Sequence, residues 1–201
     1  IARSPDRPAG RLRVSCPTSF GHRFLAPLLL DLVNDHPDLQ VELVLNDRWF
    51  DVVEEGIDVA VRIGPLPDAR LVARRLGTSM QVCVAAPSYL ATHGAPKHAQ
   101  ALAQHRCLVN VFVTPEEAWS FAGPDGAITV PVRGSFRTNN IETIRTAVLA
   151  GHGIAVGAVW LYYDDLAAGT VKPILRSFMP APLEIYALHA PGVRQPAKVT
   201  E

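Results

Sequence analysis

The sequence predicts an α/β protein with two lobes, and three observations carry this prediction. The first third alternates strand, helix, strand, helix and strand, a rhythm that produces a mostly parallel sheet with helices on its faces. From Leu71 the rhythm changes to extended runs, which indicates a crossing into a second lobe. Near the end, Leu183–Leu188 alternates again and is placed to return to the first sheet. Two crossings of this kind predict a hinge.

Composition narrows the classes of function. The chain has 201 residues, 48% of them hydrophobic, which is enough for one large domain or two lobes with real cores. Lys+Arg and Asp+Glu are both 19, so this segment offers no basic surface for DNA phosphates. Cys16, Cys83 and Cys107 are odd in number and widely spaced, which argues against disulfides and CxxC metal sites and favours a reducing, cytoplasmic location. No apolar run approaches the ~20 residues that span a bilayer.

The first β-α-β unit is read from a short set of signals. RLRVSC over Arg11–Cys16 alternates apolar and polar residues and ends at Pro17, which predicts a strand followed by a loop at residues 17–21. An apolar stripe then predicts a helix to Asn34, and a second strand is expected over Gln40–Leu45.

The stretch Asp47–Pro67 supplies the next helix and strand. Apolar residues at helical spacing predict a short helix over Trp49–Glu55, which Gly56 ends by turning left-handed. The alternation of Ile57–Ile63 predicts a buried strand, which ends before Gly64-Pro65. Arg62 therefore lies at the carboxyl end of a strand, the edge where open α/β sheets bind ligands.

The second lobe is expected to mix strands and helices. Its two clearest signals are a Pro-Ser helix start at Pro87 and an Asn-Asn pair that caps a helix over Ile141–Ala150. The other predicted elements are extended runs at Val82–Ala86, Cys107–Phe112, Ala127–Thr138, Ile154–Gly157 and Val171–Leu175, and a helix that ends at Gly169.

Several of these segments, in order, resemble the effector-binding domain of LysR-type transcriptional regulators. They are RLRVSCPTSFG, FLAPLLLDLVNDHPDLQVELVLNDRWFDVVEEGIDVAVRIGPLPD, LVARRLG, SYLATHGAP, TNNIETIRTAVLAGHGIAV and DDLAAG. The resemblance covers the chain from about Gly10 to Ala190. A match of separate motifs in the family's order is more specific than any one of them.

The resemblance implies a periplasmic-binding-protein-like fold, with mixed sheets, helices on both faces and an effector between the lobes. It places a linker at residues 1–10, the first lobe at 11–79, the second lobe at 80–177 and the return to the first lobe at 178–201. The family's last helix would begin after Pro196, so part of it is expected to be missing. The chain departs from the family at Ala158-Val159-Trp160, where a proline is common.

Candidate ligand contacts lie after strands and at helix starts, where backbone N–H groups favour anions. Ser19 and its neighbours open the first helix, with simple capping as the alternative. Asn139 and Asn140 have the matching place in the second lobe, with the same alternative. Arg62 is suited to a carboxylate, or else to a salt bridge with Asp58, Asp47 or a neighbouring acid. The full set is Thr18, Ser19, Phe20, Asn46, Arg62, Ile63, Gly64, Asn110, Asn139, Asn140 and Val159.

The resulting hypothesis is an effector-sensing domain that binds a small molecule, with a carboxylate or aromatic acid favoured. The resemblance implies a homodimer or tetramer that contacts DNA only through a winged helix-turn-helix upstream of this chain. No cofactor, metal site or membrane partner is expected, and no catalytic constellation is visible. Cys16 is interpreted as a buried structural thiol, with a redox sensor as the alternative. The rival functions are a periplasmic-type solute-binding receptor and an enzyme on the same scaffold.

Overall fold

The computed structural model describes residues 8–48, 52–66, 70–112, 117–124, 126–134 and 136–191. The helices are α1 (Thr18–Phe20), α2 (Ala26–Asp35), α3 (Pro87–His93), α4 (Ile141–Leu149) and α5 (Val159–Ala168), with a π-helical turn at Gly21–Leu25 and a 3-10 helix at Ala99–Gln104. The strands are β1 (Gly10–Cys16), β2 (Leu39–Leu45), β3 (Val59–Ile63), β4 (Val72–Ser79), β5 (Gln81–Ala85), β6 (Leu108–Asn110), β7 (Ala118–Gly123), β8 (Gly126–Pro131), β9 (Phe136–Thr138), β10 (Ile154–Ala158), β11 (Lys172–Pro173), β12 (Met179–Pro180) and β13 (Leu183–His189).

The chain divides into two compact units. The first comprises Ile1–Gly77 with Glu184–Glu201, and the second comprises Thr78–Leu183. The chain leaves the first unit within β4 and returns to it at the start of β13. The return lies later than the expected residue 178, because β12 still pairs with β7 of the second unit.

The first unit is built on a five-stranded sheet in the order β2-β1-β3-β13-β4. β1 runs parallel to both β2 and β3, as the strand-helix alternation predicts, and β13 returns antiparallel beside β3. On one face, Leu12 and Val14 pack with apolar residues of α2. On the other face, Ala60 and Leu188 form a second small core. Apolar burial on both faces fixes this sheet as the framework for the groups at its edge.

The first helical segment begins earlier than the sequence predicted. Helical structure starts at Thr18 and continues through the π-helical turn to Asp35, so the expected loop at residues 17–21 is wrong. Gly21 explains how the segment packs so closely. A Cβ at this position would lie 2.4 Å from Leu45 Cδ2 and 3.2 Å from Cys16 Cβ. Only glycine lets the helix approach the strand ends at this distance.

The stretch before β3 is only partly described. Trp49, Phe50 and Asp51 of the predicted helix lie outside the described residues, while residues 52–56 form turns. Gly56 has φ 62°, and Ile57 N–H donates to the Val52 carbonyl at 2.9 Å, so the left-handed stop is confirmed. In β3 itself Ala60, Val61 and Arg62 are all buried. The predicted buried strand is confirmed, and neighbouring strands and apolar clusters cover both of its faces.

The second unit contains small sheets in the orders β10-β5-β11, β12-β7-β8 and β6-β9. Alternate residues of β5 face two different cores: Cys83 and Ala85 belong to one, and Val84 to the other. β7 was not predicted at all, although Trp119 and Phe121 point into the core and Ser120 is exposed.

The helices of the second unit follow their sequence signals closely. α3 begins at Pro87 as predicted, and α4 begins at Ile141 and ends at Leu149 instead of Ala150. Gly169 ends α5 with φ 72°. None of the helices in the described part of the chain has the length and apolar character needed to cross a membrane.

Candidate functional site at the carboxyl edge of the first sheet

The register of β1 and β2 brings two loops together at one edge of the sheet. Cys16 pairs with Leu45, and the ladder continues one step further as Asn46 N–H donates to the Cys16 carbonyl at 3.0 Å. The next contact joins the two loops: Thr18 N–H donates to Asp47 Oδ1 at 2.8 Å. The start of the first helix is therefore capped by a carboxylate from the neighbouring loop, and not by its own side chains.

Ser19 is the least satisfied polar group at this edge. The residue is 7% exposed, and its hydroxyl oxygen has no hydrogen-bond partner within the part of the chain that the structure describes. A buried hydroxyl without a partner costs about 1–3 kcal/mol. A ligand atom that hydrogen-bonds to Ser19 would recover that cost. Phe20 follows it, with its ring centroid 5.0 Å from that of Phe24.

Arg62 lies at the carboxyl end of β3 and is only 4% exposed. It donates from Nη2 to Ser15 Oγ at 3.0 Å and from Nη1 to the Val61 carbonyl at 2.8 Å. Burial lowers the pKa of this guanidinium, while Cys16 and Asp47 act in the opposite direction. Arg62 thus ties the ends of β1 and β3 together and places a positive charge beneath the edge.

The remaining first-unit candidates shape the backbone of this edge. Asn46 accepts Arg48 N–H at 2.9 Å, and Ile63 pairs with Ile185 of β13. Gly64 has φ 105°, which only glycine adopts readily, and its N–H donates to the Glu184 carbonyl at 2.9 Å.

Cys16 ends β1 and is fully buried. Burial, partly opposed by Arg62, raises the pKa of its thiol to about 12. The thiol is therefore protonated at neutral pH, which removes the thiolate that redox chemistry needs. Cys83 and Cys107 are also free and buried.

No three His, Cys, Asp or Glu side chains among the described residues come together in a way that would hold a metal ion.

The second-unit candidates lie at two helix starts and one strand end. Asn140 caps α4, since its Oδ1 accepts Thr143 N–H at 2.9 Å, while Asn139 is exposed. Asn110 ends β6, is 8% exposed and accepts Phe112 N–H at 2.9 Å. Val159 is the first residue of α5, and its N–H donates to the Met80 carbonyl at 2.9 Å.

The edge contains two functional candidates that the sequence reasoning did not select. Asp47 was named as a possible salt-bridge partner of Arg62 but not as part of the site, and Ser15 was not named. The register of the parallel strands is the signal that would have found them. Ser15 pairs with Ala60, two residues before Arg62 on the same face of the sheet, and Asp47 follows the strand beside Thr18.

Comparison with known proteins decides the family. The model of the LysR substrate binding domain matches residues 5–201 of the chain. The chain belongs to this family. Within the LysR substrate binding domain family it is 32% identical over 193 residues to the HTH-type transcriptional regulator DmlR of Escherichia coli (strain K12), covering 96% of this chain and 62% of DmlR. It is also 32% identical over 196 residues to the HTH-type transcriptional activator AaeR of the same strain, covering 96% of this chain and 63% of AaeR.

Solved structures of LysR-type regulators share the fold. The full-length virulence activator AphB of Vibrio cholerae superposes with a TM-score of 0.83 at 29% identity, covering 96% of this chain and 66% of AphB. The regulatory domain of CrgA from Neisseria meningitidis gives a TM-score of 0.78 at 28% identity, covering 92% of this chain and 90% of that domain. The two-lobed, periplasmic-binding-protein-like fold expected from the sequence is confirmed.

The extent of the match is also informative. The chain spans slightly less than two thirds of the length of the curated relatives DmlR and AaeR.

The chain departs from the LysR family pattern at residues 158–160, where a regular helix begins at Val159 without a proline. Trp160 Nε1–H donates there to Ser79 Oγ at 3.2 Å, which anchors the helix start beside β4.

Proposed function

We propose that this chain is the effector-binding domain of a transcriptional regulator and that a small organic molecule binds at the carboxyl edge of the first sheet. The observation that carries the proposal is the buried hydroxyl of Ser19, which has no hydrogen-bond partner in the described part of this LysR substrate binding domain. The relatives are transcriptional regulators, so we propose binding without turnover. A ligand acts on such a domain only if its affinity differs between two conformations.

The proposed ligand class is a small carboxylate or aromatic acid. Arg62 gives the edge a buried positive charge, and an effector that carries a negative charge gains from that potential. The proposed contacts in the first unit are Thr18, Ser19, Phe20, Asn46, Arg62, Ile63 and Gly64. Asn110, Asn139, Asn140 and Val159 are the proposed contacts in the second unit.

A thermal-shift screen of small carboxylates tests the site. An acid that binds the folded chain raises its melting temperature, since ligand at about 100 times Kd adds about 2.7 kcal/mol of stability. The Ser19→Ala variant removes the unpartnered hydroxyl and should lose most of this shift. Isothermal titration of the best acid then measures the affinity of both proteins.

Ser88→Ala is the matched control. Ser88 is the second residue of α3, as Ser19 is the second residue of α1, but Ser88 is exposed and lies in the other unit. This variant should keep the full shift. An acid that stabilises the wild type and Ser19→Ala equally would remove Ser19 from the list of contacts.

We propose that the domain self-associates through the outer surface of α2. None of the α2 residues is fully buried, and Leu28 and Leu30 are 63% and 66% exposed. Because Leu28 and Leu30 are two positions apart, they lie on opposite sides of α2, and the proposed interface uses the side that carries Leu28. A second copy of the chain is the proposed occupant, and the complete regulator would form a homodimer or tetramer.

Sedimentation velocity tests the interface. Leu28→Glu should shift the protein towards the monomer without changing its circular dichroism spectrum. Leu76→Glu, at a 54% exposed leucine on β4, is the control and should leave the assembly unchanged. Equal sedimentation of the wild type and Leu28→Glu would contradict the proposed surface.

DNA binding and location are proposed for the whole regulator. With Lys+Arg and Asp+Glu both 19, this chain contributes little to phosphate binding, so we propose that DNA is contacted through a winged helix-turn-helix outside it. The three free cysteines are compatible with a cytoplasmic protein. An operator-binding assay with the complete regulator and with this chain alone would separate the two contributions.

A further inference from the structure

The start of the first helical segment is already occupied by an anion that belongs to the chain. Thr18 N–H donates to Asp47 Oδ1 at 2.8 Å, and the segment runs on from Thr18 to Asp35. Free N–H groups at a helix start attract anions because of their partial positive charge. Here one of these groups is satisfied, and a full negative charge lies at the position that an incoming carboxylate would otherwise take.

The neighbouring hydroxyl of Ser19 is buried and has no hydrogen-bond partner among the described residues. Ser19 is 7% exposed, and no described residue accepts from or donates to its Oγ. A serine hydroxyl both donates and accepts hydrogen bonds, so it serves neutral groups as well as charged ones. At this edge the unsatisfied hydroxyl of Ser19 therefore lies in the same helix start that the negatively charged Asp47 caps.

The charges of Arg62 and Asp47 also disfavour a second anion at this edge. Arg62 is the buried cation here, and Asp47 interacts electrostatically with it. Asp47 thereby offsets part of the positive potential that would draw a second anion towards Thr18 and Ser19. A carboxylate placed at this point would gain less from Arg62 and would also meet the like charge of Asp47.

We infer that Asp47 is a specificity residue, and that the part of the effector that contacts Ser19 is an uncharged hydrogen-bonding group such as a hydroxyl, carbonyl or amide. An acidic effector would direct its carboxylate away from this helix start. This inference rests on the proposed function. It adds that the uncharged end of the ligand contacts the first helix and that the charge of Asp47 keeps a carboxylate away from it.

Benzoate and benzamide test the inference, because they have the same shape and differ in charge. Titration of each into the 15N-labelled chain, followed at the Thr18 and Ser19 amides, gives two dissociation constants. The wild type should bind benzamide more tightly at these amides. Asp47→Asn keeps an acceptor for Thr18 N–H but removes the charge, and it should shift the ratio of the two constants towards benzoate by about tenfold.

Two further variants control for charge and for folding. Asp47→Glu keeps the charge and should keep the preference for benzamide. Asp58→Asn is the matched control, because Asp58 Oδ2 also accepts a backbone N–H, that of Arg13, at 2.9 Å. It lies before β3, away from the carboxyl edge, and its removal should leave the ratio of the two constants unchanged.

The outcomes separate the inference from the proposed function. An unchanged ratio in Asp47→Asn, with clear shifts at Thr18 and Ser19, would overturn the inference and leave the effector site standing. If neither probe moves these amides in any variant, the site at this edge fails and the inference fails with it. A ratio that shifts in Asp47→Asn but not in Asp47→Glu or Asp58→Asn supports it.

Discussion

The helices that begin at Thr18 and Ile141 both follow a strand, but their first backbone N–H groups find partners in different ways. In the second unit, Asn140 caps α4 through Thr143 N–H, three residues along the chain. In the first unit, the Thr18 N–H is capped by Asp47, 29 residues away in sequence. A cap from its own chain segment makes the start of α4 independent of the register of any strand pair. A cap from another loop makes the first helix depend on the register of two strands.

The two ways of capping a helix also leave Asn140 and Ser19 with different roles. The cap of α4 uses the same amide that the sequence nominated as a ligand contact, so Asn140 already has a structural role. The first helix receives its cap from Asp47, and the Ser19 hydroxyl has no partner among the residues that the structure describes. Among the described residues, the buried side-chain polar atoms without a hydrogen-bond partner are Arg13 Nε, Ser19 Oγ and Tyr162 Oη. Of these, Ser19 Oγ lies at the carboxyl edge of the first sheet, so this is where we expect a ligand.

We expect the largest effect from loss of the ion pair between Asp165 of α5 and Arg145 of α4. This change tests whether the local cap is enough to hold α4. Asp165 of α5 is 7% exposed and accepts Arg145 Nε at 2.6 Å and Nη2 at 2.8 Å. Asp165→Asn should lower the free energy of unfolding by about 2–3 kcal/mol, because it leaves Arg145 poorly paired beside a buried side chain. Urea unfolding followed by tryptophan fluorescence measures the loss.

Glu142→Gln is the control for this pair. Glu142 Oε2 lies 3.8 Å from Arg145 Nη1, and its side chain is 51% exposed. Its loss should cost less than about 0.5 kcal/mol. A smaller loss for Asp165→Asn than for removal of the Asn140 cap would show that α4 is held mainly by its own start.

The second effect concerns the cap of the first helix. Asp47→Ala removes the acceptor of Thr18 N–H and should cost about 1–2 kcal/mol, at the upper end for a helix cap because the N–H is partly buried. Asp47→Asn should cost much less, since an amide oxygen still accepts the bond. Hydrogen exchange at Thr18 gives a local readout. Unchanged protection of Thr18 in Asp47→Ala would contradict the long-range cap.

The third effect concerns the cap of α4, which Asn140 provides from within its own chain segment. Asn140→Ala should cost about 1 kcal/mol, and Asn140→Asp should recover it, because a carboxylate also caps a helix start. The loss should be confined to amide exchange in the first turn of α4, near Thr143. If Asn140→Ala also weakens protection in the first unit, the two helix starts are coupled, and the contrast between them fails.

The smallest effect is a pH dependence that belongs to the second unit. Tyr89 Oη accepts Arg106 N–H at 3.0 Å and is also within hydrogen-bond distance of His105 Nδ1, at 3.1 Å. Burial, followed by the charge of His93, lowers the pKa of His105. The unfolded chain, with a His pKa of about 6.5, therefore takes up the proton first as pH falls.

The sign of the pH effect follows from this order of protonation. Stability should fall as pH drops below about 6.5, by less than about 1 kcal/mol because His105 is only half-buried. Urea unfolding at pH 7.5 and pH 5.5 measures the change. His105→Gln should flatten this part of the profile. An equal fall in the variant would assign the effect to other groups.

Local signals in the sequence predicted much of the fold. Gly56 and Gly169 stop their segments with positive φ, and Pro87 and Asn140 start their helices, because each acts through its own backbone or through residues within one turn. The parallel pairing of β1 with β2 and β3 followed from strand-helix alternation. The loop expected at residues 17–21 is instead helical from Thr18, whose N–H is capped by Asp47 of a different loop.

The candidate site was predicted less completely than the fold. Ser19 and Arg62 were named from their positions after strands, and both are buried polar groups at the carboxyl edge. Their contacts were not predictable: Arg62 reaches Ser15 Oγ, which is 47 residues away in sequence. β7 was missed because its alternation around Trp119 and Phe121 is short, and the burial of those two rings depends on residues far along the chain.

The sequence by itself determined the alternation of elements, the local caps and stops, and the family to which the chain belongs. The tertiary structure alone decided that Asp47 caps the helix of Thr18, that Arg62 donates to Ser15, and that Ser19 is left unpartnered. The reason is physical. A contact between residues a few positions apart is fixed by backbone geometry, whereas a contact across dozens of residues exists only once parallel strands set their register. Here the pairing of Cys16 with Leu45 brings the two loops of the site together.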